Sequence, residues 1–260
     1  MEDLEKAIIK IFYDDSNRPK ITPRHETAIV LMLENTFTPR QIRYSLNKLQ
    51  RKRIINSLTY RIKQVGPSRF YFVNPFHNEV SMKKIHDKVR RYSDWIRRYS
   101  DNRITKMLGE HLHDLVKAEL RAQSFDILIE GDIKKFEGKD WKRSNHRLDL
   151  IARHKQKSLT IGVEIKNTLY PISKQEILTK ICMCEFFGIR PVFACRGMEP
   201  HRKIIENNNG FLWQFKQQLY PRGQENLVDI LKKRFKFPVA VSGEIPQDSV
   251  NHLIRWIDGF

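Results

Sequence analysis

The stretch HRLDLIARHKQKSLTIGVEIKN, residues 146–167, reads as two extended runs on either side of a polar turn, His154 to Lys157, and the rest of the chain is organised around it. Side chains alternate across a strand, so in the second run Leu159, Ile161, Val163 and Ile165 take one face and Thr160, Gly162, Glu164 and Lys166 the other. Four apolar residues on one side predict a central strand. A carboxylate and an ammonium beside such a core need a partner or a task.

If the hairpin pairs closely around its turn, Asp149 stands on the neighbouring strand near Glu164. Two adjacent carboxylates repel each other, which favours a hard divalent cation bound through oxygen. The backbone carbonyl of Ile165 is a candidate further ligand. Mg²⁺, with Mn²⁺ as substitute, would polarise a phosphate and acidify a water, while Lys166 would orient that water or offset transition-state charge. The bland alternative is a solvated face on which Asp149 pairs with Arg147 or Lys166.

Working outward, helical spacing covers Ile104 to Gln123, and strands are predicted at Phe125–Glu130, His146–Arg153 and Ser158–Asn167. A helix at Ser173–Phe187, a strand at Pro191–Cys195, a helix near Glu199–Asn207 and a strand at Phe211–Gln217 continue the pattern. Helix signals follow at Glu225–Phe235 and Gln247–Ile257.

Asp149, the short hairpin and then Glu164-x-Lys166 resemble the PD-(D/E)XK nuclease superfamily, and GEHLHDLVKAELRAQSF (109–125) is similar to that family's first core helix. The resemblance covers about residues 104–217. It implies an αβββαβ α/β nuclease core with a mixed central sheet flanked by helices. It also implies that Asp149, Glu164, Lys166 and Glu110 are catalytic, with Asp149, Glu164, Ile165 and Glu110 on the metal side. Leu148 stands where the family usually has proline. In some members the following helix adds a Lys or Gln, and Lys174 or Gln175 is placed to serve.

Ahead of this core, apolar residues from Glu2 to Tyr13 follow helical spacing, and Thr22-Pro23 and Thr38-Pro39 each read as a cap followed by proline at the first helical position. Alternation then appears at Leu58–Lys63 and, after Gly66-Pro67-Ser68, at Arg69–Val73. TPRQIRYSLNKLQRKRII (38–55) resembles the recognition helix and first wing strand of winged-helix DNA-binding domains. The resemblance implies DNA contacts from Arg40, Gln41, Arg43, Tyr44, Asn47, Lys48 and Arg51, and from Arg61, Lys63 and Arg69 on the wing. The expected domains are therefore a small winged helix at 1–77, a connecting helix at 78–103, and a nuclease-like domain at 104–260 with a C-terminal helical extension.

The 260 residues carry 48 Lys and Arg against 30 Asp and Glu, a formal charge of +18. Residues 1–100 hold 21 against 10, and the remaining 160 hold 27 against 20, so the excess is concentrated at the N-terminal side. Such a field attracts polyanions, nucleic acid first. No apolar run approaches a spanning helix and Met1 opens an amphipathic charged segment, so no membrane partner and a cytoplasmic location are expected. Cys182, Cys184 and Cys195 lie in apolar segments and read as reduced core residues.

The leading expectation is a Mg²⁺-dependent DNA endonuclease. A DNA-binding regulator with an idle nuclease-like fold and an RNA-directed nuclease are the alternatives, the latter because Tyr60, Phe70, Tyr71 and Phe72 offer stacking surfaces. One site cuts one strand, so a double-strand break would call for a homodimer or two successive cuts, with helix 79–100 and the C-terminus as candidate surfaces.

Overall fold

Leu4 and Ile8 give the first helix, α1 (Glu2–Lys10), its buried stripe. The computed structural model describes residues 2–16, 18–20, 22–62, 65–73, 79–197 and 201–260, with only the backbone of 79–81. The chain forms two compact units, residues 1–105 with 229–237, and residues 106–228 with 238–260.

In the first unit α1 is followed by β1 (Arg24–His25), α2 (Glu26–Leu33), α3 (Pro39–Arg51), β2 (Asn56–Ile62), β3 (Gly66–Phe72) and α4 (Glu79–Tyr99). The expected helix start at Thr22-Pro23 is displaced. Arg24 and His25 pair with Tyr71 and Phe70 of β3, and this pairing holds them extended, so α2 begins at Glu26 with His25 as its cap. The Thr38 start is found as read, as a full capping box with Gln41 and with Pro39 at the first position. The three strands form an antiparallel sheet ordered β1-β3-β2.

Alternation along β3 gives this small sheet two covered faces. Tyr71 and Val73 join Leu4, Ile8, Ile42, Leu46 and Leu49 in one cluster, whereas Phe70 and Phe72 join Ile85 and Val89 of α4 in another. The helix read as a connector therefore has its apolar face buried on the hairpin. The expected boundary at 77/78 lies outside the described residues.

In the second unit α5 (Asn102–Ala122, entering from the first unit) leads to β4 (Phe125–Ile133), the two-residue strands β5 (Lys135–Phe136) and β6 (Lys139–Asp140), β7 (Leu148–His154), β8 (Thr160–Lys166), α6 (Lys174–Phe187), β9 (Arg190–Arg196), α7 (Arg202–Glu206) and β10 (Phe211–Phe215). The mixed central sheet runs β10-β9-β8-β7-β4, antiparallel from β4 to β8 and parallel from β8 to β10. Leu159, Ile161 and Val163 pack with Leu112, Val116 and Leu120 of α5 on one face, as alternation predicts. Met183, Cys184 and Phe187 of α6 cover the other face with Leu148 and Ile151. The helix read near Glu199–Asn207 is seen from Arg202, its first residues falling outside the described ones.

After β11 (Gln218–Tyr220), α8 (Glu225–Ile230) runs into a wider π turn at Leu231–Phe235, and the stretch Asp229–Phe237 belongs to the first unit. The chain then returns as β12 (Val239–Val241), parallel to β11, and ends in α9 (Gln247–Asp258). Val250, Leu253 and Ile257 of α9 complete the core on the α5 side. No helix among the described residues is long and apolar enough to cross a membrane. All three cysteines are free. Cys184 and Cys195 are buried, but Cys182 is exposed, because on α6 it sits off the stripe that buries Ile181 and Cys184.

Candidate functional site

Glu164 is placed by two strands and one helix. Leu150 pairs with Val163 and Ile151 with Gly162, and the next step of that antiparallel register sets Asp149 opposite Glu164. Asp149 Oδ2 accepts a hydrogen bond from the Ile165 N–H at 2.6 Å, which fixes the carboxylate over β8. It is thus the amide of Ile165 that the structure brings to Asp149.

The helix can come this close because residue 162 has no side chain. A Cβ there would stand 2.9 Å from Cys184 Sγ, Ile189 Cδ1 and Leu148 Cδ1, so glycine admits α6 against this face of β8. Ser173 caps α6 at its start and Gly188, at φ 75°, ends it in the left-handed conformation. The face so presented carries Glu176 and Lys180. Lys180 Nζ bonds Glu164 Oε2 and the carbonyl of Arg147, while Lys166 Nζ bonds Glu176 Oε1 at 3.0 Å. Lys180 and Glu164 are each only 5% exposed, whereas the Lys166 side chain is 36% exposed.

Burial and the charge of Asp149 push the Glu164 carboxyl up to about 7, against the pull of Lys180 and Lys166. Burial also raises Asp149, opposed by the Ile165 N–H and by the charges of Lys180, His113 and Lys166. For Lys166, burial pulls downward, but the Glu176 bond and the Glu176, Glu164 and Asp149 charges hold the ammonium above its ordinary value. The result is a facing carboxylate pair, one member near neutrality in its titration, with a charged and partly open lysine beside it. Such a set can exchange a proton near pH 7 or hold a cation.

The donor set meets the lower limit for Mg²⁺, which keeps several waters and is commonly bound through one or two carboxylates. Among the described residues there is no group of three His, Cys, Asp or Glu that could hold a metal ion. Glu110 does not join the pair. Its side chain is 64% exposed and bridges to Lys106 at 3.6 Å, and the α5 residue whose charge reaches Asp149 is His113, nearly one turn on. Lys174 and Gln175 are exposed on α6, off the buried stripe that runs through Ile177, Lys180, Ile181 and Cys184.

Lys180, Glu176 and His113 were not singled out by sequence reasoning. For Lys180 a signal exists: it falls three residues after Ile177 and four before Cys184, a lysine inside an apolar helical stripe. For Glu176 and His113 the sequence carries no comparable mark.

In the first unit, Arg40, Gln41, Arg43, Tyr44, Asn47 and Arg51 lie on the exposed side of α3, opposite Ile42, Leu46 and Leu49. Several are already engaged. Gln41 closes the capping box, Arg43 bridges Glu26 at 2.8 Å, Lys48 bonds Glu5, and Asn47 accepts from Arg69 at 3.2 Å. Arg40, Arg51 and Arg61 make no hydrogen bond or ion pair among the described residues, and Tyr44 is 60% exposed between them in sequence. Lys63 lies outside the described residues. Phe70, Tyr71 and Phe72 are buried, which leaves Tyr60 as the exposed member of the aromatic set read as stacking surfaces.

No family model, no curated protein and no solved structure matches this chain.

Proposed function

We propose that the chain is a Mg²⁺-dependent DNA endonuclease of PD-(D/E)XK type, with a winged-helix unit that delivers duplex DNA. The observation that carries this reading is Asp149 opposite Glu164 on adjacent strands, with Lys166 two residues along the same face as Glu164. A divalent cation bound there would supply Lewis-acid polarisation of the scissile phosphate and acidify an attacking water. Asp149 and Glu164 would hold it through oxygen. Lys166, half open and kept in place by Glu176, offsets negative charge that develops on the phosphate oxygens. The exposed Arg40, Tyr44 and Arg51 of α3, with Arg61 of β2, supply the nucleic-acid face, supported by the basic excess of residues 1–100.

One observation favours a second reading, a DNA-binding regulator whose carboxylates are idle. Lys180 already neutralises Glu164, so the pair is tolerated without an ion. Purified protein incubated with supercoiled and linear DNA separates the two. The endonuclease nicks or linearises DNA with Mg²⁺ or Mn²⁺, is silent in EDTA, and loses at least about a hundredfold of its rate in Lys166→Ala. Absence of cleavage on every substrate, or cleavage untouched by Lys166→Ala, removes the enzyme reading, and metal-independent DNA binding would then support the regulator.

A further inference from the structure

The first unit carries a second concentration of positive charge that the α3 face does not explain. Helix α4 contains seven Lys and Arg against three Asp and Glu, and Lys84, Lys88 and Arg91 recur at helical spacing on one side of it. The segment 229–237, which holds four basic residues and one acidic residue, returns to this unit from far along the chain.

Apolar contacts bring it there. Phe235 packs on Tyr92 at 5.1 Å and Phe237 on Tyr99 at 5.9 Å between ring centroids, both tyrosines belonging to α4. Arg24 Nη1 donates to the Arg234 carbonyl at 3.3 Å, and Lys88 Nζ donates to Thr22 Oγ1 at 3.5 Å. Arg24, Lys84, Lys88, Arg91 and Arg234 are thereby gathered from three distant pieces of chain. Burial, Arg91, Arg234 and Lys84 all push the Lys88 ammonium below its ordinary value. Arg91 Nε donates to the Asp87 carbonyl at 3.4 Å, and the gathered cations give this side of α4 a field that attracts polyanions.

The location matters as much as the sign. Phe70 and Phe72 point from β3 to α4, and Tyr71 and Val73 point to α1 and α3, so the small sheet separates the two basic faces. Lys84 and Arg91 project outward from α4, as Arg40 and Arg51 do from α3. Arg40 and Arg51 of α3 thus lie on the opposite side of the sheet from Lys84 and Arg91 of α4.

We infer that Arg24, Lys84, Lys88, Arg91 and Arg234 form a second phosphate-backbone site, which takes a stretch of nucleic-acid duplex other than the one on α3. The five groups are all cations, with no Asn or Gln among them, a set suited to backbone phosphates, so the site binds duplex without regard to sequence. A protein with these two faces joins two duplex segments, or two arms of one bent molecule. The inference rests on the DNA-binding reading of the chain.

The test uses the full-length protein to hold a labelled short duplex on a second, immobilised duplex. Wild type is expected to bridge the two. The triple variant K84Q/R91Q/R234Q, altered only at exposed positions and checked by thermal melting, is expected to lose bridging yet still bind one duplex. Its slope of log affinity against log salt should fall by about 0.9 for each phosphate that the variant no longer neutralises. R40A/R51A should remove the other duplex and leave the α4 site working.

Bridging and salt slope unchanged in the triple variant overturn the second site while the α3 reading stands. Affinity unchanged in R40A/R51A but abolished in the triple variant overturns the α3 reading and the bridging with it, leaving the α4 group as the one phosphate site. Capture by vesicles of anionic lipid through these residues, with no effect on DNA bridging, assigns the patch to a membrane surface and overturns the proposal.

Discussion

Glu164 is buried, faces Asp149, and bonds an ammonium from α6, so its environment is set by three charges inside one small volume. Removing one partner of a buried pair costs about 3 to 5 kcal/mol, because the other charge is left uncompensated. Lys180→Met should therefore lower the melting temperature of the second unit strongly at pH 8. The penalty should shrink below pH 7, where Glu164 can relieve its uncompensated charge by taking a proton. Adding Glu164→Gln should recover most of the loss at pH 8. A melting temperature that ignores Lys180→Met would mean that the pair is not formed.

His25 offers a residue-scale test in the first unit. Its Nδ1 caps α2 by accepting the Thr27 N–H, its ring meets Phe70 edge-on at 5.0 Å, and burial lowers its pKa from 6.5 to about 4. A depressed base is neutral in the fold and takes up its proton on unfolding. Its stability contribution is therefore complete above pH 6.5 and is lost as pH falls from there toward 4, with an upper bound of about 3 kcal/mol. The half-buried ring brings the real figure below that bound. His25→Asn, which keeps a capping acceptor, should flatten this part of the stability profile. An unchanged profile would place the pH dependence elsewhere.

At the scale of elements, the decisive packing is that of α6 on β8. Gly162 lets the helix approach, and the approach puts Lys180 on Glu164 and Glu176 on Lys166. Gly162→Ala asks three side-chain atoms at 2.9 Å to move, an overpacking that costs about 1 to 3 kcal/mol and shifts α6 outward. Lower thermal stability with loss of the activity dependent on Lys166 is the expected pair of outcomes. Full activity at reduced stability would show that α6 does not hold the site. β8 itself was legible because alternation is local, and α3 because Thr38, Pro39 and Gln41 lie within four residues of each other. The start of α2 was misread because Arg24 and His25 obey a strand partner in β3, distant in sequence.

For the whole molecule, charge and chain path are linked. The basic excess of residues 1–100 is joined by Lys232, Lys233, Arg234 and Lys236, which the chain carries back from beyond β11 into the first unit. The C-terminal stretch was the least readable part of the sequence. Its destination depends on Phe235 and Phe237 finding Tyr92 and Tyr99, and no periodicity within 229–237 encodes those partners.

By itself the sequence determined the central strand, the shared face of Glu164 and Lys166, the helix capped at Thr38, and the basic sign of the surface. Each of these follows from spacing along a single element, where backbone geometry converts order into direction. Only the tertiary structure decided that Asp149 stands opposite Glu164, that Lys180, Glu176 and His113 surround the pair, and that Glu110 does not. Those outcomes depend on strand register and helix docking, which are set by packing between segments far apart in the chain.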